Sequence, residues 1–424
     1  MSKKLRVLYA AGPGNVIKTY SNYWVKDRDD PSTIAVTYSS QFYDVCTALD
    51  AEAYLISSYP EKNFLKTDRF TLEHRPILGL KKGGIFYHLG QIWYGIRLII
   101  SAILFRADAV IIVEGSTHLF VMSILPLLGI EVIPLLQCVL WPTYGHRSQS
   151  NKLIWNLSKY LFSKGCFATL SLSRDISNQV KEIAGGKARP IVEYLPYYHQ
   201  SGFKEISKTA VHHSPFRVLF AGRIEENKGV FDILEVAKNF KKEGIKNIIF
   251  DICGVGSALE KLKQEVKAAG LDSTFVCHGF CNREKMLPLF EQASILVVPT
   301  KKDFIEGFNK VVVEGILSSR PVVSSAVCPA LFYLKDAVIE VEPDDIKGYG
   351  DAILKLYSNP DFYQQKVQAC VDLQEQFYDP KNSFGNALKL VLLNLREKGK
   401  STAVLVDDLD ENQAKIKSPN LINS

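Results

Sequence analysis

Short runs of apolar residues alternate with amphipathic segments along most of the 424-residue chain. Apolar runs of strand length indicate strands buried on both faces, and the amphipathic segments between them indicate helices. The alternation therefore predicts an α/β fold, with parallel sheets that carry helices on both faces. The predicted strands are Leu5–Ala10, Ala53–Ser57, Ala109–Val113, Val132–Leu136, Phe167–Leu172, Arg217–Ala221, Ile248–Cys253, Thr274–Cys277, Ile295–Val298, Pro321–Ser324 and Val338–Val341, and the predicted helices include Val230–Glu243, Ala258–Ala269 and Asn309–Ser318.

A polar stretch rich in turn residues, "LPYYHQSGFKEISKTAVHHSP", divides the strands into two series. We predict a first Rossmann-like domain over residues 1–200, a linker at 201–215 and a second Rossmann-like domain over 216–378. Segment 379–400 is expected to be helical and to pack back towards the first domain, and 401–424 to be a loose polar tail. Ligands of doubly wound sheets lie at the carboxyl ends of the strands, so two facing domains would share a central cleft.

The composition excludes several classes of protein. A formal net charge of +6 at pH 7 and 47% hydrophobic residues are typical of a soluble globular protein. The charge suits an anionic substrate or an acidic membrane surface, but is too small for a nucleic-acid-binding protein. The eight cysteines lack zinc-site spacing and the N-terminus lacks the apolar region of a signal peptide, so we expect a cytoplasmic protein with reduced thiols and no metal.

Two stretches in the second half combine residues that suit an anionic ligand. In "VLFAGRIEENKGVFDILEVAKNF", Arg223 and Lys228 follow a strand and precede an amphipathic helix. Cationic side chains beside free N–H groups at a helix start form a site for a phosphate or diphosphate. In "FIEGFNKVVVEG", seven residues separate Glu306, in a predicted loop, from Glu314, inside a predicted helix.

These two stretches resemble the retaining glycosyltransferases of family 4, which are group 1 glycosyl transferases with the two-domain GT-B fold. The resemblance extends over about residues 216–325, where "DICGVGS", "FVCHGF", "ASILVVPT" and "SSRPVVSS" support it, and is weaker in the first half. It implies a metal-independent transferase that needs no cofactor. The donor would be a nucleotide-diphosphate sugar, UDP-linked before GDP-linked, and the acceptor a hydroxyl of a glycan, a lipid-linked saccharide or a small molecule.

The resemblance also implies roles for individual residues. Arg223 and Lys228 would neutralise the donor diphosphate and the charge that grows on it as it leaves. Glu306 would hold hydroxyls of the transferred sugar and Glu314 those of the ribose, which fits a helix that begins near Phe308 and places Glu314 about 9 Å along its axis. Further donor contacts would come from Gly12, Gly14, Asn15, Gly222, Gly254, Gly256, Gly279, Gly307, Phe308 and Asn309.

The first half departs from the family pattern where family members often end a strand with histidine. The corresponding strand ends read "IIVEGSTHLF" and "IPLLQCVLWP". We expect His118 to be catalytic, and Glu114 and Gln137 to lie on the acceptor side. A retaining transfer can proceed without a protein nucleophile, because the departing diphosphate can take the acceptor proton. Two alternatives stay open, namely a nucleotide-sugar epimerase on the same fold and a non-catalytic nucleotide-sugar-binding protein.

Two apolar stretches raise the question of membrane contact. Residues 62–106 are basic and include "GGIFYHLGQIWYGIRLIISAILF", which fits either a peripheral contact with the inner face of an anionic membrane or a long core helix after a solvated loop. Residues 119–141 are interrupted by Pro126, Gly129 and Glu131. This second stretch therefore predicts a helix, a turn and a buried strand rather than a transmembrane helix.

Overall fold

Two sheets organise the chain in the computed structural model, which describes residues 4–77, 84–207 and 214–397. The predicted tail at 401–424 lies outside these ranges. The strands are β1 (Arg6–Ala10), β2 (Glu52–Ser57), β3 (Asn63–Lys66), β4 (Phe70–His74), β5 (Ala109–Val113), β6 (Glu131–Leu136), β7 (Thr169–Ser171), β8 (Ile191–Glu193), β9 (Phe216–Ala221), β10 (Ile248–Cys253), β11 (Phe275–Gly279), β12 (Ile295–Val298), β13 (Val322–Ser325) and β14 (Val338–Val341).

Helices connect the strands and cover the sheets. They are α1 (Val16–Lys18), α2 (Tyr38–Ala48), α3 (Gly84–Phe105), α4 (Gln149–Leu157), α5 (Arg174–Ile183), α6 (Val230–Lys242), α7 (Leu259–Ala268), α8 (Arg283–Gln292), α9 (Lys310–Leu317), α10 (Leu331–Leu334), α11 (Ile346–Ser358), α12 (Pro360–Asp372), α13 (Glu375–Tyr378) and α14 (Phe384–Glu397). Shorter pieces are the 3-10 helices Leu119–Leu128, Gln200–Phe203, Glu226–Lys228 and Pro380–Asn382 and the π-helical turns Thr19–Trp24 and Leu161–Gly165.

The first sheet has eight strands in the order β3-β4-β2-β1-β5-β6-β7-β8, and only β3 runs antiparallel to its neighbour. The second has six parallel strands in the order β11-β10-β9-β12-β13-β14. In both sheets the strand order reverses at the first strand of the domain. Such a reversal opens a crevice at the carboxyl ends of the strands, where ligands of doubly wound sheets bind.

All eleven predicted strands exist, with ends that lie within two residues of the predicted ones. The sequence analysis missed β3, β4 and β8. Strand β3 is an edge strand with exposed side chains, and β8 has only three residues, so neither produces a buried apolar run. Strand β4 alternates buried and half-buried residues, a pattern of period two that the search for continuous apolar runs did not detect.

The core reaches from one domain into the other. On β12, Ile295 and Val297 belong to a cluster within the second domain, whereas Leu296 and Val298 belong to a cluster that continues into the first domain. Because successive side chains point to opposite faces of a strand, β12 is buried on both faces. The second sheet is therefore packed against the rest of the chain on both sides.

After the second domain the chain returns to the first one. Helix α14 packs against α2, where the Gly385 N–H donates to Oε1 of Gln41 at 2.8 Å. Farther along α14, the Arg396 guanidinium donates to the Leu49 carbonyl at 3.4 Å. The stretch before α14 adds a main-chain bond from the Leu195 N–H to the Asn382 carbonyl, at 2.7 Å. The C-terminal helix thus joins the end of the described chain to the first domain.

Close packing of α9 on the second sheet depends on Gly315. A Cβ atom at Gly315 would lie 2.7 Å from Cγ2 of Val322, whereas a Cβ atom at Gly350 in α11 would make only ordinary contacts at 3.6 Å and beyond. We expect Gly315→Ala to lower the free energy of unfolding, because overpacking costs about 1–3 kcal/mol. Gly350→Ala should raise it by about 0.5–1 kcal/mol through helix propensity. Urea unfolding of both variants measures the change in the free energy of unfolding, which should be negative for Gly315→Ala and positive for Gly350→Ala. A stabilised Gly315→Ala protein would contradict the close packing of α9 on the second sheet.

Candidate functional site

Segments that follow strands of the two sheets contact each other at the carboxyl ends of the sheets. Cys138, just after β6, pairs with Gly307 in a short antiparallel bridge, and the Val139 N–H donates to the Glu306 carbonyl at 3.0 Å. A Cβ atom at Gly307 would lie only 2.8 Å from the Gln137 carbonyl oxygen, so the close approach requires glycine. The loop that carries Glu306 is therefore fixed to a strand end of the first domain.

Glu306 is the centre of a buried polar network. Its Oε2 atom accepts hydrogen bonds from Nζ of Lys228 at 2.8 Å, from Oγ1 of Thr300 at 3.0 Å and from Nδ2 of Asn309 at 3.1 Å. Its Oε1 atom accepts from the Gly307 N–H at 3.1 Å. The residue is only 6% exposed, so the carboxylate is held in one orientation and holds the Lys228 ammonium in turn.

The two predicted cations, Arg223 and Lys228, both lie near the ring of Phe304. Nζ of Lys228 lies 3.7 Å from the centroid of the Phe304 ring, and the Arg223 guanidinium lies 6.0 Å from the same centroid. The Arg223 side chain is 60% exposed and donates to Glu225 at 3.1 Å, whereas the Lys228 side chain is largely buried. Arg223 and Lys228 thus form a positive patch beside Glu306, with Arg223 open to solvent.

The start of α9 is shaped by two residues of the predicted donor loop. Asn309 adopts a left-handed conformation with φ of 60°, which asparagine tolerates better than most residues, and α9 begins at the next residue. The Phe308 side chain is buried against Tyr333 and Phe377. Only the main chain of Phe308 is therefore placed to contact a ligand.

Glu314 lies inside α9 beside groups from both domains. Burial raises the pKa of Glu314 to about 7, although the Lys310 charge and the nearby Tyr198 hydroxyl of the first domain oppose the shift. Burial also lowers the pKa of Lys310, and the Glu314 charge opposes that change. Lys310 additionally places its ammonium 5.6 Å from the Tyr38 ring of the first domain.

The sequence analysis missed Lys310, Tyr198 and Tyr38. Lys310 precedes Glu314 by four residues, a spacing that puts both on one face of a helix, so the sequence contained a usable signal for it. The two tyrosines come from separate segments of the first domain, and no local pattern links them to α9.

A cavity of about 490 Å³ joins the first domain to the start of α9. Its lining includes Gly14, Asn15, Lys18, Gln137 and Lys310. Oδ1 of Asn15 accepts from the Lys18 N–H at 2.8 Å and caps α1. The predicted glycine loop and Gln137 are thus close to the donor-side helix.

Glu114 supports the strand end that touches Gly307. Its Oε1 atom accepts from the main-chain N–H groups of Gln137 and Cys138, both at 2.9 Å. The Oε2 atom is buried without a hydrogen-bond partner among the described residues. Burial raises the pKa of Glu114 to about 8, against the opposing effect of the two N–H groups.

His118 is placed differently from the other predicted residues. Its Nε2 atom lies 2.9 Å from Nδ1 of His88 in α3, and its ring stacks on Phe120. Burial and the neighbouring His88 lower the pKa of His118. Its recorded contacts are therefore with the α3 side of the domain, not with the Arg223–Lys228–Glu306 group, and its catalytic role stays a prediction.

The remaining predicted glycines lie where β9, β10 and β11 end. Main-chain bonds join these ends, from the Gly222 N–H to the Cys253 carbonyl at 2.9 Å and from the Gly254 N–H to the Gly279 carbonyl at 2.8 Å. A Cβ atom at Gly254 would lie 1.7 Å from the Gly222 oxygen, and one at Gly256 would lie 2.2 Å from the Ile224 oxygen. Glycine is thus needed there for the strand ends to meet.

Within the described ranges, no group of three His, Cys, Asp or Glu side chains is arranged to hold a metal.

Residues 203–370 match the family "Glycosyl transferases group 1". The matched segment contains Arg223, Lys228, Glu306 and Glu314. This match confirms that this segment resembles the group 1 glycosyl transferases.

The comparisons with individual proteins agree with the group 1 match. The 2-deoxystreptamine N-acetyl-D-glucosaminyltransferase of Niallia circulans is 28% identical over 144 residues, which are 34% of this chain and 36% of that protein. The match thus spans about a third of the curated relative's length.

Sucrose-phosphate synthase from Thermosynechococcus elongatus aligns with a TM-score of 0.69 and 12% identity, over 94% of this chain and all of that one. Anabaena HepE in complex with UDP aligns with a TM-score of 0.58 and 15% identity, over 94% of this chain and 99% of that one. The predicted GT-B fold is confirmed.

The raised pKa of Glu114 predicts a pH-dependent stability. Its folded pKa of about 8 lies above its ordinary value of 4.5, so the folded state binds one more proton than the unfolded state between these pH values. The stabilisation is complete below the unfolded pKa and is lost as pH rises through the folded pKa. The Glu114 contribution should therefore fall by about 1.4 kcal/mol per pH unit across this window.

Glu114→Gln keeps an oxygen acceptor for the two N–H groups but cannot ionise. Urea unfolding at several pH values should show the variant gaining stability relative to wild type as pH rises from about 5 to about 8. Glu131→Gln, at a more exposed carboxylate in the same domain, is the matched control. Parallel pH profiles of wild type and Glu114→Gln would contradict the burial of this carboxyl group.

Proposed function

We propose that the protein is a glycosyltransferase that moves a sugar from a nucleotide-diphosphate sugar to a hydroxyl acceptor. The observation that carries the proposal is the 2.8 Å contact between Lys228 and Glu306 at the cleft, with Arg223 on the same aromatic ring. A carboxylate and two cations so arranged suit a ligand that joins a sugar to a diphosphate. The match of this segment to the group 1 glycosyl transferases supports the same assignment.

The proposed roles follow from charge and position. The donor diphosphate binds beside Arg223 and Lys228, the sugar hydroxyls bind Glu306, and the ribose hydroxyls bind Glu314. When the bond from the anomeric carbon to the phosphate oxygen breaks, negative charge grows on the diphosphate, and the two cations stabilise it. Lys228 has three N–H donors, so it can contact a phosphate oxygen while it donates to Glu306.

We propose the retaining chemistry of family 4 for the transfer step. The acceptor oxygen bonds to the anomeric carbon on the face from which the diphosphate departs, and its proton passes to the departing phosphate oxygen. The protein then contributes positioning and positive charge instead of a nucleophile. The support for this step is the spacing of Glu306 and Glu314, which is that of the family 4 motif.

UDP is the proposed nucleotide, with GDP second, and the support is the fold that the chain shares with UDP-bound HepE. The proposed acceptor is a hydroxyl of a glycan, a lipid-linked saccharide or a small molecule, bound in the cavity lined by Asn15, Gln137 and Lys310. We propose a cytoplasmic location. All eight cysteines are free thiols, as is usual in a reducing compartment.

Replacement of Arg223 tests the charge stabilisation. The side chain is exposed, so Arg223→Ala should leave the fold intact while it lowers the rate of sugar transfer or donor hydrolysis about 100-fold or more. Lys263→Ala, at another exposed cation on α7, is the matched control and should keep the wild-type rate. The assay measures release of nucleoside diphosphate from a panel of UDP- and GDP-sugars.

The same assay separates the competing assignments. It is run with excess EDTA, because the proposed charge stabilisation comes from side chains, and a strict requirement for added Mg²⁺ would contradict it. Recovery of epimerised donor without release of nucleoside diphosphate would identify an epimerase. Binding of donor with no turnover under any acceptor condition would identify a non-catalytic binding protein.

The raised pKa of Glu314 predicts that UDP binding depends on pH. The ionised carboxylate accepts hydrogen bonds from both ribose hydroxyls, and protonation below a pKa of about 7 removes acceptor capacity. Affinity for UDP should therefore weaken as pH falls from about 8 to about 6, with a limiting slope of about tenfold per pH unit. Glu314→Gln should bind weakly at high pH and change little with pH.

Titration calorimetry at several pH values measures how the UDP affinity of wild type and of Glu314→Gln depends on pH. UDP itself titrates in this range, but equally with both proteins, so the difference between the two curves reports Glu314. Glu260→Gln, at an exposed carboxylate of α7, should follow the wild-type curve. If Glu314→Gln also follows the wild-type curve, Glu314 does not hold the ribose.

A further inference from the structure

Helix α3 is apolar on the face that it turns away from the protein. Exposed large apolar side chains recur along it at intervals of three or four residues, at Ile85, Leu89, Trp93, Ile96, Ile100 and Leu104. Trp93 is 55% exposed and Leu104 is 78% exposed. The opposite side of α3, with Tyr94, Leu98 and Ala102, is buried in the first domain. Since residues at these intervals share one side of a helix, the exposed residues form a stripe about 30 Å long.

Two neighbouring elements extend this stripe into a broader surface. The 3-10 helix Leu119–Leu128 packs against α3 and exposes Ile124, Leu127 and Leu128, of which Leu127 is 73% exposed. Helix α4 packs against the same 3-10 helix and exposes Leu153 and Leu157. We call this surface, with the exposed residues of α3, the outer apolar face. Contiguous apolar surface of this extent marks a site of interaction on a folded protein.

The three segments that form the outer apolar face carry charges of one sign, and the nearest acidic residues in the sequence are Asp108 and Glu131, which directly follow two of them. Segments 84–107, 119–130 and 148–165, which form it, contain no Asp or Glu in their sequence. They contain the cationic residues Arg97, Arg106, Lys152, Lys159 and Lys164. The whole chain, in contrast, has 45 acidic residues against 51 basic ones, so an acid-free surface of three segments is a local property. An apolar centre with basic flanks is complementary to an anionic lipid surface.

We propose that the outer apolar face binds the surface of an anionic lipid bilayer. Trp93 and the aliphatic side chains insert among the headgroups and upper acyl chains, while the flanking lysines and arginines contact lipid phosphates. Helix α3 has the length and hydropathy of a membrane-spanning helix. Its other side packs on β1 and on the 3-10 helix, so it lies in the interface and does not cross the bilayer.

Helix α3 contacts the segment that follows the carboxyl end of β5. Near that end, Oγ1 of Thr117 donates to the Gln91 carbonyl at 2.7 Å, and His88 contacts His118. Thr117 and His118 follow the carboxyl end of β5, the strand end that also carries Glu114. A bilayer bound to this face would therefore lie on the side of the first domain that carries the segment after β5, the strand end where Glu114 lies. An acceptor anchored in the membrane would then reach the cleft without leaving the lipid.

Vesicle flotation of the full chain tests the proposal without any donor or acceptor. Wild type should float with vesicles of phosphatidylcholine mixed with phosphatidylglycerol, and less with vesicles of phosphatidylcholine alone. The double substitution Leu89→Gln and Trp93→Gln should weaken binding to the mixed vesicles at least about tenfold, since each side chain loses its apolar transfer energy. Val25→Gln, at an exposed apolar residue outside this face, should bind like wild type.

Two further measurements test whether the basic residues contribute to lipid binding and whether Trp93 enters the acyl-chain region. Lys152→Glu combined with Lys159→Glu should weaken binding to the mixed vesicles and reduce its salt dependence. Lipids brominated on their acyl chains should quench tryptophan fluorescence in wild type and clearly less in Trp93→Phe. All of these residues are exposed, so unchanged thermal unfolding of each variant confirms that the fold is intact.

The proposal is overturned if wild type stays with the soluble fraction or if the Leu89/Trp93 variant floats as well as wild type. It is also overturned if light scattering shows a dimer that the Leu89/Trp93 substitutions convert to a monomer, because the face then covers a second copy of the chain. The measurements use no nucleotide sugar. The result is therefore independent of whether the transferase assay succeeds.

Discussion

The contact between the strand end at Gln137–Val139 and the loop at Glu306–Gly307 links all the parts of the site. Glu114 holds the first of these segments through two N–H groups, and the second segment carries the carboxylate that orients Lys228. One continuous series of hydrogen bonds therefore runs from the core of the first domain to the cation of the second. A shift at any step would move Lys228 relative to the first domain, so the position of Lys228 in the cleft depends on this series of contacts.

Carboxylates and cations are paired within the site. Lys228 is paired with Glu306, and Lys310 lies near Glu314, so both carboxylates that are proposed to hold donor hydroxyls have a cation close by. Burial makes an isolated charge costly, and these pairs reduce that cost. A bound diphosphate would add acceptors for the ammonium groups without removing the carboxylates. Arg223 differs because it is exposed, and it can therefore turn towards a ligand at little cost in packing.

The sequence predicted the second domain better than the first. Its apolar runs, the Arg223–Lys228 pair and the Glu306–Glu314 spacing are all local patterns, and the structure brings Arg223, Lys228 and Glu306 together. The contributions of Tyr38 and Tyr198 could not be predicted, because they reach α9 through tertiary packing between domains. Glu114 was identified as polar and close to the cleft, but its hydrogen bonds to the next strand end depend on the order of strands in the sheet. Sequence patterns locate a residue on an element and not its partners across a sheet.

Helix α3 shows the same limit in another form. Its sequence is apolar on every side, so periodicity alone could not distinguish a core helix from a membrane contact. In the folded chain, one side of α3 packs on the first domain as a core helix does. The other side carries the outer apolar face, to which the proposed membrane contact applies. A helix that served only the core would gain little from Leu104 at its outer side, because this residue is 78% exposed. The apolar character of that side is consistent with the proposed bilayer contact, and the absence of acidic residues from the three segments that form the face favours an anionic lipid surface.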